Sequence, residues 1–245
     1  VSRASADQRK GRCGRVQHGV CIRLYSEEEY RSRPPFTPPE ILRSNLAEVI
    51  LRMHDLGLGR PESFPFLDRP GERSIKDGFD VLLELGAITR EGREHTLTAM
   101  GRTMAGVPLD PRISRMMIEA RREGCPGEVA VIASALSIQD PRERPLDKAE
   151  QADRMHAPFR DPASDFITLL NIWSRYHREW ETLKTQNRMR RFCREHFLSF
   201  SRMREWVYTH AQISAILGKE ETGGPANRSP GAPYDAIHRS ILSGF

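Results

Sequence analysis

Within eight residues, Gln8-Arg9-Lys10-Gly11-Arg12-Cys13-Gly14-Arg15 places three arginines at intervals of three, with two glycines and a leading glutamine. Arginine is permanently charged and carries a planar fork of donors that matches phosphate oxygens. Glycine lets backbone approach a ligand closely or adopt a positive φ. Gln8, Arg12 and Arg15 stand at i, i+4 and i+7, so a helix would bring them to one face. That combination is suited to reading a triphosphate.

A second basic constellation lies towards the other end. Arg188, Arg190, Arg191, Arg194, Arg202 and Arg204 are accompanied between 187 and 204 by one acid, Glu195. A solvated face usually mixes signs, whereas a face of one sign suits a nucleic-acid backbone. These six arginines are the candidate RNA contacts. Cys13, His18 and Cys21 fit no common zinc spacing, and no metal ligands are assigned. Cys125 and Cys193 complete four scattered cysteines without a Cys-x-x-Cys pair, as expected of a reducing cytoplasm. His177 shares a helical arc with aromatic residues and reads as a core histidine.

These residues need elements to position them. A chain of 245 residues accommodates one large domain or two to three small ones. Basic residues number 38 and acidic ones 33, a net charge of +5 that favours an anionic partner. No run of eighteen apolar residues exists, so no membrane span is expected, and the polar, basic start is no signal peptide. The chain opens on Val1 beside the arginine motif and stops in mid-pattern at Phe245, which reads as a piece of a longer protein.

The alternation in Gly19–Tyr25 predicts a strand, followed by a charged, proline-bearing linker over 26–36. Thr37-Pro38-Pro39-Glu40 has the form of a capping box, predicting a helix that buries Leu42, Asn45 or Leu46, Val49, Ile50 and Met53 and ends at Gly57. The apolar loop 64–70 is suited to plugging a pocket. A second helix over 74–85 stops at Gly86. Two short strands flank an Arg-Glu-Gly-Arg turn, and Thr98 caps a helix to about 105. Helix, helix, hairpin is a winged-helix pattern. From Asp110 the pattern is helical throughout: 110–124, 127–138, a polar excursion over 139–160 with one short helix, and a long helix opened by Asp161-Pro162. That helix carries Phe166, Leu169, Leu170, Trp173, Tyr176, His177 and Trp180 on one arc. Helices over 187–197 and 199–217 follow, then a Gly- and Pro-rich linker to 233.

The octet at 8–15 resembles motif VI of the DEAH-box RNA helicases, in its QRxGRxGR form. Downstream, Pro39–Leu46, Leu85–Ile88, Leu97–Arg102, Pro108–Arg112 and Ser164-Asp165 with Trp173 resemble their helicase-associated region. Ala135–Pro145 resembles the bacterial HrpA-like members in particular. The resemblance implies a mainly α chain. Its parts are the end of a second RecA-like α/β domain (1–30), a winged helix (31–108), a helical ratchet domain (109–217), and a linker with the start of an OB-fold-like domain (218–245). It further implies that Arg12 and Arg15 act as arginine fingers, that Gln8 places the attacking water, and that Arg9 also meets ATP. The substrate would be single-stranded RNA and the cofactors ATP and Mg2+. No GxxxxGK[ST] phosphate loop and no DEAH acid pair occur here. The nucleotide and its Mg2+ would then be held largely by a first RecA-like domain, the partner of this segment, and the isolated chain is expected to be inactive. The alternatives are a non-enzymatic RNA-binding or adaptor module and, against the evidence of the arginine motif, a winged-helix DNA-binding regulator.

Overall fold

The computed structural model describes residues 1–14, 17–92, 94–217 and 233–245. Ser2 opens helix α1 (Arg3–Arg12), its hydroxyl accepting the Ser5 amide. The helix is tied to the proline-rich segment behind it, where Pro34 and Pro35 carbonyls accept from the Arg3 and Ala4 amides at 2.9 Å. Helix α2 (Glu27–Ser32) has three glutamates in its first turn, where the helix dipole favours them. Its Tyr30 donates to Asp7 at 2.6 Å, and Arg23 pairs with Asp7 at 2.7 Å while lying over the Tyr30 ring. Polar contacts hold this unit together, and Ala6 is its one buried apolar residue among those described.

The strand expected at Gly19–Tyr25 is not formed. Val20, Ile22 and Leu24 are 87, 81 and 96 % exposed. Alternation marks a segment fit for a sheet, but a strand also needs a neighbour to take its backbone hydrogen bonds. Thr37 likewise opens no helix. Its hydroxyl lies 3.0 and 3.2 Å from those of Ser2 and Ser5. A 3₁₀ turn at Glu40–Leu42 intervenes before α3 (Ala47–Asp55), which starts where the Asn45 side chain accepts the Ala47 amide. Leu42 is therefore exposed, whereas Leu46, Ile50 and Met53 are buried as predicted.

Helix α4 (Glu72–Glu84) packs on α3 and ends at Gly86. Strands β1 (Ile88–Glu91) and β2 (Glu94–Leu97) form an antiparallel hairpin pairing Ile88 with Leu97. Thr98 caps α5 (Ala99–Ala105) by accepting the Gly101 amide, and donates to the Gly86 carbonyl at 2.7 Å. A Cβ on Gly101 would stand 1.9 Å from the Ala87 carbonyl oxygen, so only glycine lets α5 close on the hairpin. Leu46, Ile50, Ile75, Phe79, Leu82 and Met104 form the core of this part. The 64–70 loop plugs nothing with Leu67, which is fully exposed, while Phe64 and Phe66 pack on one another.

A larger helical body follows. Asp110 caps α6 (Pro111–Glu123), which Gly124 ends at φ +73°. Helix α7 (Pro126–Leu136) is apolar all round and buried accordingly. The excursion contains 3₁₀ turns and α8 (Ala149–His156). The long helix α9 (Asp165–Leu183) starts at Ser164, whose hydroxyl accepts the Ile167 amide. Asp161, expected to open it, holds the Ala163 amide in the preceding turn instead. Trp180 leaves the predicted buried arc at 40 % exposure. Helices α10 (Gln186–Glu195) and α11 (Phe200–Leu217) complete the sequence-predicted set. At the centre, buried Trp206 lies 5.1 Å from Trp173 and donates to the Val131 carbonyl and the Ser134 hydroxyl.

The final expectation meets a different neighbour. Residues 218–232 lie outside the described residues, and α12 (Tyr234–Leu242) packs back onto α6 and α7. Ala236, Ile237 and Ile241 enter the helical core. Arg239 grips Glu123 with two hydrogen bonds of 2.9 and 2.7 Å, and the Gly244 carbonyl accepts from Arg112. Mainly α with one small hairpin among the described residues, the fold agrees with the class expected from sequence.

Candidate functional site

The arginine motif occupies the last turns of α1. Gln8, Arg9 and Arg12 are all exposed there, and Gln8 and Arg12 share a face as their spacing requires. Arg15 lies outside the described residues. The neighbouring Asp7 faces Tyr30 and Arg23 instead; hydrogen bonds from these two hold its carboxyl below the usual range. A Cβ built on Gly11 or Gly14 would meet nothing within 4 Å. Packing among the described residues therefore gives no reason for glycine at either position. Gly19 differs, since its Cβ would collide with the Cys13 carbonyl, so Gly19 and Cys13 approach closely.

The six arginines of the second constellation divide into two sets. Arg191 pairs with Glu195 at 2.7 Å, and Arg202 donates to the Asp140 carbonyl at 2.9 Å. These two serve the fold. Arg188, Arg190, Arg194 and Arg204 are exposed and join no ion pair among the described residues. Arg190 and Arg194 line a cavity of about 480 Å³ between the end of α10, the start of α11 and the 143–148 loop. Lys148, Phe197 and Phe200 line it too, and Glu143 supplies its one carboxylate. Sequence reasoning missed Glu143 and Lys148 because they come from a separate segment, and passed over Phe197 and Phe200. The available signal was the aromatic pair 197 and 200 immediately behind the arginines.

A second cavity, of about 380 Å³, opens between α3, α4 and β2. His54 and His95 reach it from either side of Phe79, with His95 stacked on the ring at 4.2 Å. Burial lowers both imidazole pKa values, and His54 Nε2 finds no partner among the described residues. No group of three His, Cys, Asp or Glu able to hold a metal occurs among the described residues. No described helix is long and apolar enough to cross a membrane.

Residues 110–199, the α6–α10 body, match the family model of the helicase associated domain (HA2), ratchet-like. Over its whole length the chain is 49 % identical to the ATP-dependent RNA helicase HrpA of Escherichia coli (strain K12). It is 50 % identical to the HrpA homolog of Haemophilus influenzae. The chain belongs to the HrpA-like DEAH-box helicase family. It spans 19 % of the length of each of those two relatives. The pre-mRNA-splicing factor ATP-dependent RNA helicase prp22 of Schizosaccharomyces pombe is also similar, at 36 % identity across the chain and 20 % of its own length. In this HrpA-like chain the ratchet-like match stops at 199, yet α11 and α12 contribute Trp206, Ile237 and Ile241 to the same core.

Proposed function

We propose that this chain contributes the arginine fingers and part of the single-stranded RNA path of an ATP-dependent RNA helicase. One observation carries the nucleotide half of the reading: an exposed Gln8–Arg12 helix face beside glycines that no contact among the described residues explains. A backbone stripped of side chains at 11 and 14 leaves room for another domain or a nucleotide to approach. Bound ATP with its Mg2+ supplies the phosphoanhydride bond that hydrolysis breaks. The residues here fit one side of such a ligand: Arg12, with Arg9 and Arg15, for the charge on the terminal phosphate, and Gln8 for a water. With no phosphate loop and no DEAH acids in the sequence, they fit that one side only. Residues 1–30 would belong to the second RecA-like domain, 31–108 to a winged helix and 109–217 to the ratchet domain. The Val20-Ile22-Leu24 row supports the first assignment, having the alternation of a strand that lacks its sheet.

The RNA half rests on Arg188, Arg190, Arg194 and Arg204, exposed cations that join no ion pair among the described residues. Phosphate contacts of that kind position a strand and carry no base information. In a full-length helicase containing this segment, Arg12→Ala and Arg15→Ala should each cut ATP hydrolysis by roughly 10³-fold or more. RNA binding without nucleotide should change little. Lysine at either position should fail as well, because a point charge does not replace the guanidinium fork. Near-full hydrolysis by Arg12→Lys would remove the finger assignment.

A further inference from the structure

The cavity at the α10–α11 junction has features that a plain arginine face lacks. Its walls are fastened by backbone. The Phe197 carbonyl accepts from the Glu143 amide at 2.8 Å, the Pro141 carbonyl accepts from the Ser199 amide at 2.8 Å, and Arg142 and Leu198 form a β-bridge between those bonds. Arg142 is itself pinned, with Nη2 at 2.7 Å from Asp140. Phe197 sits at φ +51°, a left-handed conformation that a bulky side chain rarely adopts. It is held there because its carbonyl also accepts from His156 Nε2 at 3.0 Å. Strained residues persist where their surroundings over-determine them, and they concentrate at ligand sites. Phe200 contributes a second ring, over which the Arg190 guanidinium lies at 5.3 Å from the centroid.

Charge narrows the ligand. Three cations, Lys148, Arg190 and Arg194, face one carboxylate, Glu143. That balance suits the single charge of a phosphodiester, while Glu143 opposes a compact polyanion. Rings and a guanidinium plane together are the surfaces on which unpaired bases stack. A volume of about 480 Å³ falls in the range of small-ligand sites, roughly 300–1,000 Å³.

We infer that this cavity is a nucleotide site on the single-stranded RNA path, in which Arg190 and Arg194 hold one phosphodiester and the attached base packs against Phe197 and Phe200. It rests on the RNA-path reading above and adds to it a base-dependent grip.

The test uses the 245-residue chain and fluorescence anisotropy over a salt series. Its probes are oligouridylate, an abasic ribose-phosphate oligomer of equal length, and inorganic phosphate as competitor. Arg190→Ala with Arg194→Ala should weaken both oligomers at least ten-fold and lower the log–log salt slope by roughly 0.7, the value for one phosphate contact. Phe200→Leu should weaken oligouridylate about five-fold or more, with the salt slope and abasic binding unchanged. Phe200 packs partly on the core, so Phe197→Leu, outside it, serves as the second variant and should act in the same direction. If both leucine variants bind oligouridylate like the parent, the base-packing site is overturned. Displacement of oligouridylate by inorganic phosphate at equal concentration would show an anion pocket and overturn it as well. Arg188→Ala with Arg204→Ala reports on the path outside the cavity. Loss of binding in that pair alone overturns the cavity site and leaves the RNA path standing; no loss in any arginine variant overturns both.

Discussion

Two glycines with opposite surroundings separate function from packing at the scale of single residues. Gly101→Ala drives a methyl against the Ala87 carbonyl, and should cost ~2–3 kcal/mol of stability, because backbone on both sides has to shift. Gly11→Ala meets open space on a helix, so this chain should be unchanged or gain up to about 1 kcal/mol. In a full-length helicase the same Gly11→Ala should lower ATP hydrolysis, and an active, stabilised variant would show that the motif needs no close approach there. Titration offers another residue-scale test. Burial, reinforced by His177, pushes the His210 pKa down to about 4. Burial also lowers that of His177, whose ring packs on Trp173 as His210 does. The unfolded chain takes up protons near pH 6.5 that the folded one refuses, so stability is complete above 6.5 and declines as pH falls towards 4. His210 alone accounts for as much as ~3 kcal/mol of that decline. Thermal melts at pH 7, 5.5 and 4.5 should show a shallower decline for His210→Gln than for the parent.

Helix ends decide most of what happens at the scale of elements. Ser164 both caps α9 and lies 2.7 Å from His238 Nε2 on α12. Ser164→Ala should therefore cost ~1–2 kcal/mol in a denaturant melt, and Asp161→Ala distinctly less. Lys184 ends α9 at φ +50°, a position that favours glycine, so Lys184→Gly should stabilise by a few tenths to ~1 kcal/mol. Stability lost at Lys184→Gly would mean that its side chain matters more than its backbone. Caps written locally, at Thr98, Asp110, Gly86 and Gly124, were legible in sequence because their partners lie within a few residues. Thr37 misled because its hydroxyl is engaged 35 residues away by Ser2, which no local pattern announces. Gly19–Tyr25 misled because alternation records which face would be buried, and not whether a sheet is present. The shared, exposed face of Gln8 and Arg12 on α1 was legible from their spacing. The division of the second set was not, since Arg202 answers to Asp140, 62 residues distant.

The described residues form two hydrophobic cores and a polar N-terminal unit. The smaller core gathers α3, α4, the hairpin and α5; the larger gathers α6, α7 and α9–α12. Residues 1–36 are fastened by Asp7, Arg23 and Tyr30, none of them buried, and ion pairs open to solvent contribute little. This unit should accordingly be the first to lose hydrogen-exchange protection, well before the helical body. Protection at Ala4–Lys10 equal to that around Trp206 would contradict the division. Such an arrangement is consistent with the proposed role, in which residues 1–30 complete a domain while the larger core keeps the RNA-facing surface fixed.

Helix α12 brings a consequence for how the molecule can be divided. Its apolar side fills the groove over α6 and α7, and the Arg239–Glu123 and Ser164–His238 contacts give it a register. A chain ending at 217 would leave that groove open to water, and should melt lower and bind hydrophobic dyes. Supplied separately, a peptide of residues 233–245 should reassociate with it and restore the melting temperature, as a tenon returns to its mortise. A peptide carrying Arg239→Glu should not. Residues 233–245 thus pack as part of the helical body.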